Sequence, residues 1–165
     1  MTMAFNADEV FEMAEQIERA AARFYREVAA KAADREMKEM FLTLASMEEG
    51  HFHTFQEMRR GLGDQEKGST TFDPENEVAL YLQAMAEAKG FEGMRSPGHR
   101  LTGKESMPEL FEIAIGAERN SVLFYVGLKE MVDARAGKDK VEGIIREEVG
   151  HVAQLRRQLA AIRGE

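Results

Sequence analysis

The sequence predicts an all-α fold: a bundle of four helices, arranged as two antiparallel hairpins joined by a long crossover that contains a short helix. Three observations lead there. Proline is scarce (three residues) while Ala, Glu, Met, Leu and Arg are abundant, and the side chains of these residues lose little rotamer freedom in a helix. Apolar residues recur at three-four spacing over four separate stretches. A pattern in the first half also returns a hundred positions later. Ile17-Glu18-Arg19, Phe24-Tyr25 and Glu48-Glu49-Gly50-His51 are matched by Ala117-Glu118-Arg119, Phe124-Tyr125 and Glu148-Val149-Gly150-His151.

Taken in order, the first helix is expected from Ala7 to Ala33. Asn6-x-x-Glu9 reads as a capping box, with Asn6 accepting from first-turn N–H groups. Val10, Phe11, Ala14, Ile17, Ala21, Phe24, Val28 and Ala32 form its apolar stripe, and Glu18 falls inside it. A break at Ala33-Asp34 makes Asp34 the N-cap of a second helix reaching Arg60. Met37, Met40, Phe41, Leu44, Met47, Phe55 and Met58 line that helix, Glu48 and His51 sit on or beside the same face, and Gly61 and Gly63 end it. Residues 62 to 105 lack this period. Asp73-Pro74 starts a short helix running to Lys89, and Ser96-Pro97-Gly98 marks a turn. A connection this long is expected to do structural work, as a crossover does. Ser106-x-x-Glu109 is a second capping box, opening a third helix to Ala134. After Ala136-Gly137, a fourth helix runs from Lys138 to Ile162. The expected organisation is one domain over residues 1–165, with hairpins 6–61 and 106–163 and the crossover 62–105 between them. Phe11/Phe111, Glu12/Glu112, Ala14/Ala114, Gly50/Gly150 and the caps also match at the same offset, which indicates duplication of a hairpin.

Composition excludes several classes of function. There is no cysteine, so disulfides, thiolate chemistry and iron–sulfur or rubredoxin-type sites are absent from this chain. The formal net charge is −8 and no basic stretch persists, so nothing offers a footprint for nucleic acid. No window approaches the run of about eighteen apolar residues that spans a membrane. Met1 to Asp8 carries no basic segment followed by an apolar one, so a cytoplasmic protein is expected.

The glutamates carry the functional signal. In an antiparallel hairpin, residues equidistant from the turn lie side by side. Glu18 and Glu48 are centred on residue 33, and Glu118 and Glu148 on residue 133, both at or near predicted turns. Each pair therefore lies at one height, about 22 Å from its turn at a rise of about 1.5 Å per residue. His51 and His151 follow Glu48 and Glu148 by three positions and share their helix face. The crossover is long enough to return along the second helix, which itself spans about 39 Å. The second hairpin can then lie parallel to the first, and a pseudo-two-fold axis brings all four glutamates to the bundle centre. Four carboxylates at one level of an apolar core repel unless they are neutralised. Two divalent cations would neutralise them and take their oxygens as ligands.

A lone Glu-x-x-His is usually a solvated face. Two copies, each thirty residues after a Glu in an apolar stripe, make the set Glu18, Glu48, His51, Glu118, Glu148 and His151 the candidate metal ligands. Glu147 is also within reach of His151, four positions on, but its counterpart is Met47, so symmetry favours Glu48 and Glu148. Glu49 and Glu147 are read as exposed or as lying behind the ligands. Glu12 and Glu112 are read as surface charges favoured by the helix dipole, and His53 as a surface residue. His99 has no partner in view. The eleven methionines are core filler.

A Glu from each of two helices plus Glu-x-x-His from each of the other two is the di-iron or di-manganese carboxylate arrangement. On these residues, together with Tyr25 and Tyr125, the sequence resembles the ferritin-like superfamily, and most closely the di-iron domain of rubrerythrins, over nearly its whole length. The resemblance implies a ferritin-like four-helix bundle holding two iron ions, with manganese or zinc compatible with the same ligands. It implies that Glu48 and Glu118, or the symmetric choice, bridge the ions. It implies Tyr25 and Tyr125 as groups behind the ligands, able to hydrogen-bond their carboxylates. The activity implied is reduction of hydrogen peroxide, or reaction with dioxygen, fed by a separate electron-donor protein; the alternative is iron oxidation and storage, delivery or oxidant sensing. A homodimer is expected, domain-swapped if the crossover does not fold back over its own bundle. Where rubrerythrins commonly carry a further Glu one turn after the third-helix ligand, this sequence has Ser121, matched by Ala21.

Overall fold

The computed structural model describes residues 6–64, 67, 77, 80, 81, 84, 101–132 and 134–165. Its main elements are α1 (Ala7–Lys31), α2 (Arg35–Arg60), α3 (Met107–Met131) and α4 (Lys138–Arg163). Both capping boxes form. Asn6 Oδ1 accepts from the Glu9 N–H at 2.9 Å while Glu9 Oε2 accepts from the Asn6 N–H at 3.0 Å. Ser106 and Glu109 make the equivalent pair at the start of α3. Asp34 caps α2 by accepting from the Met37 N–H at 2.9 Å.

The odd-numbered helices are shorter than expected. α1 stops at Lys31 and not Ala33, and α3 at Met131 and not Ala134. The physical reason is the same at both ends. The next residue, Ala32 or Val132, is extended (ψ 122° and 127°), which turns the chain so that the following helix can run back. At the second turn Gly137 completes the reversal at φ +104°, a left-handed conformation costly for any residue with a Cβ. A Cβ there would also come within 3.0 Å of Met58 Cε. Gly137→Ala is therefore expected to cost about 1–2 kcal/mol in chemical denaturation, chiefly from the left-handed backbone.

Two apolar layers set the sense of packing. One joins Val10, Phe11, Phe55 and Met58 to Tyr125, Leu128, Val141 and Ile144. The other joins Tyr25, Val28, Phe41 and Leu44 to Leu110, Phe111, Leu155 and Leu159. The start of α1 thus meets the end of α3, and the start of α2 meets the end of α4. The hairpin axes are aligned as expected, but the hairpins lie head to tail, each turn beside the other's open end. Arg59 ties the last turn of α2 to α1 through Asp8 (3.0 Å) and Glu12 (3.1 Å), and Arg163 ties α4 to Glu112 in the same way. Glu12 and Glu112 are thus surface charges held by arginine.

The crossover helix expected over 74–89, the Ser96-Pro97-Gly98 turn and His99 lie outside the described residues, except that Glu77, Leu80, Tyr81 and Ala84 are helical. Tyr81 packs against the first apolar layer, and its hydroxyl donates to the Leu123 carbonyl at 2.5 Å. At that point the crossover lies on its own bundle. Among the described residues no helix is long and apolar enough to cross a membrane.

Candidate metal centre

Between the two apolar layers lies one polar level. Glu18, Glu48, His51, Glu118, Glu148 and His151 all meet there, and none is more than 5% exposed. That rules out the solvated-face reading of either Glu-x-x-His pair. The register follows from the turns: Glu18 and Glu48 flank a break at Ala32–Asp34, the position on which they are centred.

Two sets of four ligand atoms each lie within 4.8 Å of one another: Glu18, Glu48, His51 and Glu148, and Glu48, Glu118, Glu148 and His151. Glu48 and Glu148 belong to both sets. The resemblance implied Glu48 with Glu118, or the symmetric choice, as the bridge; Glu118 and Glu18 each stand in one set only. The Tyr25 hydroxyl donates to Glu118 Oε1 and the Tyr125 hydroxyl to Glu18 Oε1. Tyr125 takes Glu18 Oε1 and leaves Oε2 facing His51 Nδ1 at 3.6 Å, whereas Glu118 Oε1, which Tyr25 reaches, is also the oxygen 3.6 Å from His151 Nδ1. Glu48 and Glu148 carry no such bond and can offer both oxygens. They face each other from α2 and α4, and each approaches the other hairpin's histidine. Glu148 Oε1 is 2.9 Å from His51 Nδ1, and Glu48 Oε1 is 3.0 Å from His151 Nδ1.

The tyrosines therefore reach across to the opposite hairpin. A helical side chain leans toward the N-terminus of its helix, so Tyr25, two turns beyond Glu18, points back to the level of the centre. Tyr25 lies against Phe41 and Tyr125 against Phe55, with ring centroids 6.0 and 5.1 Å apart. Burial, and then the nearby carboxylate charges, push both phenols well above their usual range, so they remain donors. Tyr25→Phe is expected to leave the Glu118 oxygen without its donor. The expected loss is about 1–3 kcal/mol of stability with bound metal retained, read by denaturation beside metal analysis.

The electrostatics divide the six residues by position. Burial, followed by the charges of Glu48 and Glu148, raises Glu18 and Glu118 well above the carboxylate range. Burial also acts on Glu48 and Glu148, but bonds from the histidines outweigh it and hold both below the usual value. For the imidazoles, burial disfavours the charged form, yet bonds to the surrounding glutamates raise His51 strongly and His151 to about 12.

The donor set fits a metal. Glu18 Oε2, Glu48 Oε1, His51 Nδ1 and Glu148 Oε1 are buried, and the close approaches they make lack hydrogen-bond geometry, a costly arrangement that coordination would relieve. Carboxylate oxygens and imidazole nitrogens suit iron, manganese or zinc.

Some functional contacts were not anticipated. Glu147, read as exposed or as lying behind the ligands, is half-exposed and accepts from His51 Nε2 on the other hairpin at 2.8 Å, a partner the sequence did not name. The pattern placed it only relative to its own helix. Glu15 is buried beside Arg59, off the centre. Ser121 bonds back to the Ala117 carbonyl at 3.2 Å and does not join the ligands. Glu49 pairs with Arg26 on the surface, and His53 is exposed, as expected.

A ferritin-like bundle with a carboxylate and histidine cluster at its centre defines the class of this protein. The family profile described as Rubrerythrin matches residues 9–160, and the chain belongs to the rubrerythrin family. Its fold is similar to a crystal structure from Thermotoga maritima, provisionally described as a ferritin-like diiron-carboxylate protein. The TM-score is 0.67 at 23% identity, covering 94% of this chain and 95% of that one. No curated relative matches the chain.

Proposed function

We propose that the protein is a non-haem di-iron oxidoreductase that reduces hydrogen peroxide at a carboxylate-bridged centre. The observation that carries this reading is the pair of overlapping four-residue sets sharing Glu48 and Glu148. The shared carboxylates Glu48 and Glu148 would hold both ions in common. Glu18 and His51 would complete one position, and Glu118 and His151 the other. Bound iron would supply the two electrons that peroxide reduction consumes, replenished by a separate donor protein.

The chain's own residues orient, exclude water and admit a small oxidant. Tyr125 and Tyr25 fix the rotamers of Glu18 and Glu118 through their hydroxyls. Phe24, Phe41, Phe55 and Phe111, all nearly without exposure, seal the level from above and below. Between α1 and α3, Ile17, Ala21, Phe24, Tyr25, Ala117, Glu118 and Ser121 line a cavity with about 10 Å³ of room for the centre of a water-sized molecule. That is about one probe sphere. Its size supports a small oxidant such as peroxide or dioxygen over an organic substrate. Ala21 and Ser121, the small residues at the repeated position, keep this space open.

Rapid mixing of the iron-loaded, reduced protein with each oxidant tests the reading. Peroxide is expected to oxidise the centre faster than air-saturated buffer does. Equal or slower oxidation by peroxide would remove the peroxidase reading, and a many-subunit particle in gel filtration would favour iron storage.

A further inference from the structure

We propose that the two halves of the centre are unequal, and that Glu147 makes the Glu18/His51 position the tighter of the two. This rests on the dinuclear reading above and adds to it a difference between the ions.

The halves match contact for contact in most respects. Tyr125 holds Glu18 as Tyr25 holds Glu118. Each histidine turns Nδ1 toward the shared glutamates, at 2.9 Å from Glu148 for His51 and 3.0 Å from Glu48 for His151. The far nitrogens differ. His51 Nε2 meets Glu147 Oε2 at 2.8 Å. His151 Nε2 is buried, in a residue 3% exposed, and has no hydrogen-bond partner among the described residues. The residue equivalent to Glu147 at the hundred-residue offset is Met47, whose thioether is at best a weak acceptor.

The chemical consequence lies in the tautomer. A carboxylate accepting from Nε2–H fixes the proton there, leaves the Nδ1 lone pair free for a cation, and makes that lone pair more basic. The one ring hydrogen bond that His151 makes among the described residues, Nδ1 to Glu148 Oε2 at 3.0 Å, favours the tautomer with its proton on the metal-facing nitrogen, so selecting the other tautomer on binding falls to the metal itself. Carboxylates placed behind a metal-bound histidine are typically worth about 10–100-fold in affinity. Glu147 is a half-exposed side chain, at 53%, so water screens it and the lower end of that range is expected. Its exposure follows from the groove between α2 and α4, which Gly50 and Gly143 help to form and which runs from solvent to His51 and Glu147. Glu147 is a positioning residue, acting on the ion only through His51.

The test is titration of the metal-free, full-length protein with cobalt(II), followed by calorimetry and by the visible ligand-field bands. Wild type is expected to bind in two steps. Crystals grown with one equivalent of cobalt should show the anomalous signal at the Glu18/His51 position. Glu147→Met, which copies the other half, should weaken the first step about tenfold and bring the two steps together. Glu147→Gln keeps an acceptor and should fall between, while Met47→Glu should strengthen the second step. The metal-free melting temperature separates loss of fold from loss of affinity. If Glu147→Met lowers it, the near-isosteric Glu147→Gln decides. A first step unchanged in both Glu147 variants, or first filling at the Glu118/His151 position, overturns the proposal while the dinuclear reading stands. Failure of wild type to bind two ions overturns that reading itself.

Discussion

Glu48→Ala and Glu148→Ala are each expected to empty both metal positions, whereas Glu18→Ala and Glu118→Ala each empty one. The difference follows from membership: Glu48 and Glu148 stand in both four-residue sets, and Glu18 and Glu118 in one each. Metal analysis after equilibrium dialysis should fall from about two ions per chain to about none in the first pair of variants, and to about one in the second. Equal losses in all four would remove the bridging assignment. The double replacement Glu18→Leu, Glu118→Leu provides a control for folding. It leaves the buried hydroxyls of Tyr125 and Tyr25 without their acceptors, at about 1–3 kcal/mol each, so the metal-free variant should melt below wild type while remaining folded. A purely structural bundle predicts the same melting behaviour but no loss of bound metal, and the two measurements together separate these outcomes.

Loading the centre is expected to expel protons, and to weaken in acid. Burial raises Glu18 and Glu118 above the carboxylate range, and bonds to the glutamates raise His51 and His151 against burial, so each shift favours a bound proton in the metal-free centre. Metal binding requires each group to give that proton up. The sign is fixed: lower pH favours the protonated, metal-free form. Each proton released should lower the product of the two affinities by about tenfold per unit of fall in pH, over the range where its group is protonated in the metal-free centre. Calorimetry in buffers of different ionisation enthalpy counts the protons directly. Release of fewer than about two would mean that the empty centre is already largely deprotonated.

The helices, their caps and the six clustered residues were legible because they depend on signals along one chain direction. Asn6 and Ser106 announce helix starts by their own chemistry, and two turns centred between paired glutamates fix height by arithmetic. The ends of α1 and α3 were less legible. Ala32 and Val132 break their helices through backbone conformation, and nothing in an alanine or a valine signals an extended ψ. The sharing of Glu48 and Glu148 between the two sets and the contact of Glu147 with His51 lay beyond one-dimensional reading for a stronger reason. Both depend on contacts between hairpins, and these depend on the head-to-tail sense of packing. Spacing offered Glu147 to His151 on its own helix, while packing delivered it to His51 on another. The small residues Ala21 and Ser121 were visible as a departure from the family pattern. That they border a cavity beside Glu118 required the packed bundle.

The crossed tyrosine contacts have a consequence for ancestry. Tyr25 reaches Glu118 and Tyr125 reaches Glu18, so position i of one half touches position j of the other, and j touches i. That reciprocity is the rule of an isologous two-fold interface between identical subunits. The single chain is thus arranged as a homodimer of one hairpin would be, with the crossover as the fusion joining the copies. In such a dimer every substitution is made twice and symmetry is enforced. Fusion lifts that constraint, and Glu147 opposite Met47 is a change that only a fused pair can hold.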